Sequence, residues 1–208
     1  RLAGTYEQRA VGFVPVPFEI HAAAPDRRRV WIQLPPPLDE RFAADGVPGH
    51  LVRVHDGTES FELNRYRGDK LYAAGEAREE AVAARFALAG DLGALHATLR
   101  TEARVRFDER ECYRVAATTP DGRSRTLHFE VASGLLAGRE AEDEALVHYR
   151  DWRAFDGLLL PASQRVFRPD GGIEEHFRIE SATIEPVAEE RFERSERVRE
   201  LLAEREPR

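Results

Sequence analysis

The chain has 208 residues, of which 42% are hydrophobic and 33% charged, a balance typical of a globular protein with a substantial core. Its net charge of -7 does not favour nucleic-acid binding, although nearly all of its 31 basic residues are arginine. No apolar run is long enough for a membrane helix, and no signal peptide is visible, which leaves secretion open. The single cysteine, Cys112, excludes an intrachain disulfide and a cysteine-based metal site.

The first third of the chain has the two-residue period of β-strands. Phe18 and Ile20 alternate with polar residues, and Val30 and Ile32 do the same after an intervening turn. Asp56-Gly57 is a strong signal for a tight hairpin. Strands are therefore predicted over residues 2–10, 16–24, 29–34, 51–55 and 58–63.

Helical spacing then replaces the alternation. Residues 76–89 are predicted to form an amphipathic helix with Val82 and Phe86 on its apolar face. Asp91 is placed to cap a second, shorter helix. That helix would carry Leu92, Leu95 and Leu99.

Alternation resumes near residue 104 and continues to residue 184. Tyr113 and Val115 share one face of a predicted strand, and Leu127 and Phe129 share one face of the next. Because nearly every connection is short, the roughly ten predicted strands should form one antiparallel sheet. A sheet of this length twists and either closes or rolls into a half-barrel whose concave face must be covered. The two predicted helices carry the apolar faces that can cover it.

The end of the chain is dense in Glu and Arg. Glu190 with Arg194, and Glu193 with Arg197, have the four-residue spacing that supports an exposed helix. The absence of an apolar stripe is typical of a solvated or frayed end. We therefore predict a half-barrel domain over residues 1–188 and a charged helix or tail over residues 189–208.

Short motifs in a particular order resemble the LolA/LolB-like superfamily of bacterial outer-membrane lipoprotein-sorting and carrier-like domains, in an uncharacterised branch. The motifs are common one by one, and the resemblance rests on their order and spacing through most of the chain. They are Gly4-Thr5-Tyr6, Ala24-Pro25-Asp26-Arg27, Asp56-Gly57, Arg67-Gly68-Asp69, Ala84-Arg85-Phe86, Cys112-Tyr113-Arg114-Val115, Asp121-Gly122, Phe129-Glu130, Ser133-Gly134-Leu135-Leu136, Tyr149-Arg150-Asp151, Asp156-Gly157 and Leu160-Pro161.

The resemblance implies a mainly β (α+β) fold: a curled antiparallel sheet that forms an unclosed half-barrel, with two helices over its concave face. It also implies a periplasmic or envelope location, no cofactor, and an apolar cavity that in the family can hold acyl chains. The alternative is a cavity filled completely by helix side chains. The expected lining is Phe18, Ile20, Val30, Ile32, Phe61, Val82, Phe86, Leu92, Leu95, Tyr113, Val115, Leu127 and Phe129.

The expected function is non-enzymatic binding of a lipid, an acyl chain, a lipoprotein or another hydrophobic ligand in the cell envelope. One alternative is a cofactor-free enzyme acting on a hydrophobic small molecule, which would need polar, partly buried residues converging in the cavity. Another is a structural or protein-interaction module, which would have a dry core and an exposed apolar patch. A protein partner in the envelope is compatible with these functions, whereas nucleic acid is not expected and the chain is not expected to be an integral membrane protein.

No catalytic or metal-binding motif stands out in the sequence. His128 and His176 are out of phase with their apolar neighbours, so we expect them on the polar, solvent-facing side of the sheet, where no metal site is expected. Cys112 is expected to be a buried structural thiol. The Arg27-Arg28-Arg29 run predicts a solvated turn, with contact to an anionic headgroup as the alternative.

Overall fold

A computed structural model describes residues 1–9, 12–34, 49–64, 68–89, 92–120, 122–141, 144–168 and 172–205. In chain order, the strands found there are β1 (Leu2–Gln8), β2 (Val16–Ala23), β3 (Arg27–Gln33), β4 (His50–His55), β5 (Ser60–Asn64), β6 (Lys70–Leu71), β7 (Thr98–Phe107), β8 (Arg110–Thr118), β9 (Ser124–Glu130), β10 (Leu136–Ala141), β11 (Glu144–Phe155), β12 (Leu158–Phe167) and β13 (Ile173–Ala182). The helices are α1 (Ala74–Ala89), α2 (Leu92–Leu95) and α3 (Glu196–Arg205), and a 3-10 turn covers Glu189–Phe192.

Within the described residues, the strands form a sheet in the order β6-β5-β4-β3-β2-β1-β13-β12-β11-β10-β9-β8-β7. Tight turns make the antiparallel pairing possible: Gly57 has a φ of 100°, and Asp156 and Gly157 have φ values of 46° and 80°. The two end strands, β6 and β7, are not neighbours, so the sheet is not closed. The predicted fold class, a mainly β chain with an unclosed antiparallel half-barrel sheet and helices, is confirmed.

The chain divides into two compact units. The first comprises Arg1–Thr5, Val14–Gly90 and Ser181–Arg208, and the second comprises Tyr6–Phe13 and Asp91–Glu180. In the first unit, α1 packs against β2, β3, β4 and β5.

Alanine content and a local hydrogen bond favour α1. Its sequence is rich in Ala, the strongest helix former. Before its first turn, the amide of Ala73 donates to Glu76 Oε2 at 3.3 Å, which is half of a capping box. The helix begins at Ala74, two residues before the predicted start at residue 76.

The C-terminal segment covers the other face of the first unit's strands. Phe192 of the 3-10 turn and Val198 of α3 are 4% and 0% exposed, and they cluster with Val52, Val54 and Phe61. The expectation of a solvated or frayed end is therefore wrong. A helix that lies along a sheet needs only a narrow apolar strip, and the charged positions around Val198 hide that strip in the sequence.

Polar contacts hold this segment in place. Ser195 caps α3: its hydroxyl accepts a hydrogen bond from the amide of Val198 at 3.2 Å. The same hydroxyl donates to Asp69 Oδ2 at 2.6 Å. Arg194 Nε donates to Asp56 Oδ2 at 2.5 Å, in the turn between β4 and β5. Arg194 and Ser195, just before α3, thus tie this segment to two loops of the sheet.

In the second unit, β7 to β13 run as an antiparallel meander from the edge of the sheet inward. The second predicted helix is shorter than expected and ends at Leu95. Leu99 lies in β7, paired with Ala117, and is 42% exposed. Strand pairing thus overrides the helical spacing of the leucines. Asp91, the expected cap, lies outside the described residues.

Candidate functional site

The face of the first unit's sheet that lies against α1 is mostly apolar at one end. Phe18, Val30 and Ile32 are 1%, 3% and 2% exposed, and Ile20 is half-buried. Directly paired residues of antiparallel strands share a face, and the register pairs Phe18 with Ile32 and Ile20 with Val30. The next pairing adds Leu51 beside Ile32. These five residues, with α1 over the strands that carry them, define the helix-covered face.

Polar side chains tie α1 to the other end of this face. Arg28 forms an ion pair with Glu80 of α1 at 3.0 Å, and both side chains are 18% exposed. The Ser60 hydroxyl donates to the Ala77 carbonyl at 3.1 Å. His55 Nδ1 lies 2.9 Å from the same hydroxyl. The first half of α1 is therefore fixed by polar contacts rather than by apolar packing alone.

The arginine run lies in β3 and is not a solvated turn, which corrects the sequence prediction. Arg27 pairs with Glu189, and Arg28 with Glu80. Burial lowers the pKa of Arg29, since its guanidinium is largely removed from water. Period-two alternation of Arg28 with Val30 and Ile32 was the available sequence signal, because residues two apart on a strand share a face.

Tyr72 adds a buried hydroxyl beside the same polar end. The side chain is 8% exposed, and its hydroxyl donates to Glu62 Oε2 at 3.2 Å. Burial raises the pKa of Tyr72 well above its ordinary value; Arg53 opposes this shift, and Glu80 and Glu62 reinforce it. Tyr72 therefore keeps its proton at neutral pH and can act as a hydrogen-bond donor but not as a base. Sequence reasoning found no such polar cluster.

Three members of the predicted lining in the first unit are not among the residues that define the helix-covered face: Phe61, Val82 and Phe86. Phe61 lies on the opposite face, because it pairs with Val54 and belongs to the cluster under the C-terminal segment. The sequence placed Phe61 with Phe18 because periodicity gives the two faces of a strand but not which face is which. Val82 and Phe86 lie in α1, but their side chains lie outside the described part of the structure.

The remaining predicted lining residues belong to the second unit. The register pairs Tyr113 with Phe129 and Val115 with Leu127, so these four share one face as predicted. Leu127 is 3% exposed, and the other three are half-buried. In α2, Leu95 is 5% exposed and Leu92 is half-buried.

The histidines of the second unit are buried, so the solvent-facing position predicted for them is wrong. His128 and His176 are 3% and 6% exposed. His128 Nε2 lies 2.9 Å from Glu140 Oε1, and His176 Nε2 lies 2.9 Å from the Ser163 hydroxyl. Their phase was read correctly, but Glu140 and the Phe107 ring contact His128, and Ser163 contacts His176, so that face is covered. No group of three or more His, Cys, Asp or Glu side chains arranged for a metal ion occurs among the described residues.

Asp108 joins three basic side chains at the turn after β7. Arg150 Nε donates to its Oδ2 at 2.8 Å, and Arg110 donates to the same oxygen at 2.7 Å. His148 Nδ1 lies 3.0 Å from Oδ1. Burial alone would raise the pKa of Asp108, but Arg150 and His148 outweigh it and lower that pKa. The cluster holds the β7–β8 turn against β11.

Two concavities are described, and both belong to the second unit. One, of about 420 Å³, lies beside the β7–β8 turn and is lined by Arg104, Val105, Arg106, Glu109 and Glu111. The other, of about 350 Å³, is lined by residues of β11, β12 and β13. Neither includes a residue of the predicted cavity lining.

Comparison with solved structures identifies the architecture. A LolA superfamily protein from Nitrosomonas europaea matches this chain with a TM-score of 0.59 at 9% identity, over 93% of this chain and 87% of that one. A domain described as an outer membrane lipoprotein-sorting protein domain, from Vibrio parahaemolyticus, matches with a TM-score of 0.55 at 8% identity, over 86% of this chain and 83% of that one. The fold is LolA-like. No protein-family model matches the chain, and no curated protein does.

The predicted lining residues fall into two groups, one in each unit. Phe18, Ile20, Val30 and Ile32 line one face of the first unit's strands, and the group around Leu127 lines one face of the second unit's strands. In the described part of this LolA-like chain, every helix is too short or too polar to span a membrane.

Proposed function

We propose that this protein binds a lipid or another hydrophobic molecule in the bacterial cell envelope, without catalysis, as a carrier-type domain. The observation that carries this proposal is the helix-covered face, on which large apolar side chains share one surface beneath a separate helix. The LolA-like fold supports the envelope location, because solved structures of that fold include one described as an outer membrane lipoprotein-sorting protein domain.

The bound molecule would lie against Ile20 and Leu51, the half-buried members of the helix-covered face. Phe18, Val30 and Ile32 are buried and would form the floor beneath it. Burying apolar surface stabilises the complex by about 25 cal/mol per Å². An acyl chain therefore gains affinity in proportion to the length that α1 can cover.

The polar end of the face would receive the less apolar end of the molecule. The guanidinium of Arg53 lies close enough to affect the pKa of Tyr72, whose own hydroxyl donates to Glu62, so the donors at this end are the N–H groups of Arg53. A carboxylate or ester oxygen is the natural acceptor for such donors. The same cluster is the feature that an enzyme would need, but the Tyr72 hydroxyl stays protonated at neutral pH and is engaged by Glu62.

Native mass spectrometry and a fluorescent fatty acid test this function. Protein purified from a bacterial envelope fraction is expected to retain a co-purified lipid, and the fluorescent fatty acid should bind and compete with it. Ile20→Ala should weaken the fatty acid by about tenfold, or 1.4 kcal/mol, since it removes apolar contact area.

Leu63→Ala is the matched control. Leu63 is also a half-buried strand residue of the first unit, but it packs against the cluster on the opposite face. It should lower stability and leave fatty-acid affinity unchanged. Equal effects of the two substitutions on binding, or no binding of the fatty acid by the wild-type protein, would refute the proposal.

A further inference from the structure

Strand β7 of the second unit has one unpaired edge. In the described part of the chain, β7 pairs with β8 on one side and ends the sheet on the other. In an antiparallel pair, every second residue directs its N–H and C=O groups away from its partner strand. The outer edge of this ten-residue strand is therefore a row of open backbone groups, which is a template for another strand.

A β-bulge divides this edge into two parts. The register of β7 with β8 shifts between Thr101 and Ala103. Such a bulge twists the strand and hinders pairing with another chain. From Ala103 to Phe107 the pairing is regular, and these five residues include no proline or glycine. Residues 103–107 thus form an open edge that can receive a strand.

The side chains of the open edge differ between the two faces of the sheet. Arg104 and Arg106 share one face, because residues two apart on a strand point the same way, and both are exposed. Val105 and Phe107 point to the other face and are half-buried. An added strand would therefore meet two cations on one face and two apolar side chains on the other.

A concavity of about 420 Å³ borders the open edge. Three consecutive residues, Arg104, Val105 and Arg106, line it together with Glu109 and Glu111. Since neighbouring residues of a strand point to opposite faces, a concavity that all three line reaches the backbone of β7. It has room for the side chains that an added strand would place on the same face as the two arginines.

The two arginines differ in how far acidic neighbours balance them. Arg104 donates to the Tyr113 hydroxyl at 3.1 Å and lies 3.9 Å from Glu111. Among the described residues, the Arg106 side chain forms no ion pair or hydrogen bond. Glu109 lies in the turn beyond the end of β7. Two arginines and two glutamates leave the lining neutral, so selectivity for charge depends on position, and an acidic residue fits opposite Arg106.

A second copy of this chain does not fit the open edge. If two open edges paired antiparallel with like faces together, each register would place Arg104 opposite Arg104, Arg104 opposite Arg106, or Arg106 opposite Arg106. Like charges directly opposite each other destabilise a strand pair. The arginines therefore oppose self-association, but they do not oppose a strand of the opposite charge.

We propose that β7 is a docking edge for an extended peptide segment of another protein, which adds a strand beside residues 103–107. The segment carries an acidic residue opposite Arg106 and apolar residues at the alternate positions, next to Val105 and Phe107. Main-chain hydrogen bonds supply the affinity, and the pair of opposite charges supplies selectivity. This docking is independent of the lipid binding proposed for the first unit.

Two capped eight-residue peptides test the open edge on the full chain. Both alternate Thr with Val, and one central Thr is replaced by Glu in the first peptide and by Lys in the second. Fluorescence anisotropy should show saturable binding of the Glu peptide. Binding of the Lys peptide should be at least about threefold weaker, because an attractive cross-strand pair becomes a repulsive one. No binding of the Glu peptide, or equal binding of both, would overturn the proposal.

Amide hydrogen exchange followed by NMR locates the bound peptide. Alternate amides within residues 103–107 should exchange rapidly in the free protein and become protected when the Glu peptide binds. Binding without this protection would place the peptide elsewhere and overturn the proposal. Protection without peptide, together with a dimer in sedimentation velocity, would assign the edge to a second copy and also overturn it.

A reversal of charge tests the role of Arg106. Arg106→Gln should remove the preference between the peptides, and Arg106→Glu should make the Lys peptide the tighter one. Arg100→Glu is the matched control, because Arg100 is 77% exposed in the same strand but lies beyond the bulge. It should leave the preference for the Glu peptide unchanged. Thermal unfolding checks that each variant is folded. The same reversal with Arg100→Glu would show a bulk charge effect and contradict the assignment.

Discussion

Phe107 lies directly on the backbone of Gly138. Its ring is stacked on His128, with centroids 3.9 Å apart and planes 8° from parallel, and its edge meets His148 at 4.8 Å. A Cβ atom added to Gly138 would lie 2.5 Å from the ring and 2.5 Å from the Val147 carbonyl oxygen. Gly138 is thus required for close approach of an aromatic ring, and not for a turn.

We expect Gly138→Ala to lower the free energy of unfolding by about 1–3 kcal/mol, because the ring and a strand carbonyl would both have to move. Urea denaturation followed by tryptophan fluorescence measures the change. Gly75→Ala is the control, since a Cβ there meets nothing within 4 Å and lies in the first turn of α1. Alanine at that helical site should leave stability unchanged or raise it by up to about 1 kcal/mol. Similar losses in both variants would show that the close approach is not what matters.

A second prediction concerns α3, the C-terminal helix. Val198 is fully buried against the strands of the first unit, so Val198→Ala should destabilise the protein by about 2 kcal/mol, from lost apolar contact and the remaining cavity. Glu200→Ala in the same helix is the control, because Glu200 is exposed and its ion pair with Arg197 contributes at most about 1 kcal/mol. If Val198→Ala were as mild as Glu200→Ala, the tail would not be part of the core in solution.

Much of this fold was readable from the sequence because sheets and turns leave local signals. Period-two alternation located β2 and β3 to within two residues, and Asp56-Gly57 gave the hairpin between β4 and β5. The two-residue edge strand β6 was missed, since it is too short to show a period. Leu99 was assigned to a helix because three leucines at helical spacing cannot show that a strand partner competes for the third.

The candidate site was only partly readable, for a physical reason. Alternation reveals that a strand has two faces, but not which partner covers each of them. Both faces of β4 and β5 are covered in the first unit, one by α1 and one by the C-terminal segment. Phe61 was therefore grouped with the wrong face, and the Tyr72–Glu62 hydrogen bond could not be inferred from residues ten positions apart.

Asp56 makes the stability of the folded protein depend on pH. Burial alone would raise the pKa of its carboxyl group, but hydrogen bonds from Arg194 and from the amides of Glu59 and Thr58 outweigh burial and lower that pKa from 3.8 to about 2. A pKa that is lower in the folded than in the unfolded chain means that the ionised form stabilises the fold. This contribution is complete above about pH 4 and is lost as the pH falls toward about 2.

We expect Asp56→Asn to be less stable than the wild type at pH 7 by up to about 2 kcal/mol, with the difference shrinking as the pH falls below about 4. Asparagine keeps the acceptor oxygen for the turn amides but carries no charge for Arg194. Urea denaturation at several pH values measures both curves, and Glu200→Gln is an exposed carboxylate control with no such trend. A difference that stayed constant down to about pH 2 would mean that the charge of Asp56 does not stabilise the fold.

Cys112 was expected to be a buried structural thiol, and the structure confirms the burial at 0% exposure. Burial raises the pKa of its thiol, because the thiolate is poorly solvated there, and nearby Arg110 opposes this only in part. Because it is the chain's one cysteine, its labelling reports a single site.

We expect the native protein to react with a thiol reagent at least about tenfold more slowly than the urea-unfolded chain. Phe107→Ala should speed the native reaction, because loss of the ring, which stacks on His128, would loosen the turn that covers the thiol. Glu111→Ala, an exposed change beside the cysteine, should not. Equal rates in the native and unfolded chains would show that β8 opens in solution more readily than its pairing with β7 and β9 indicates.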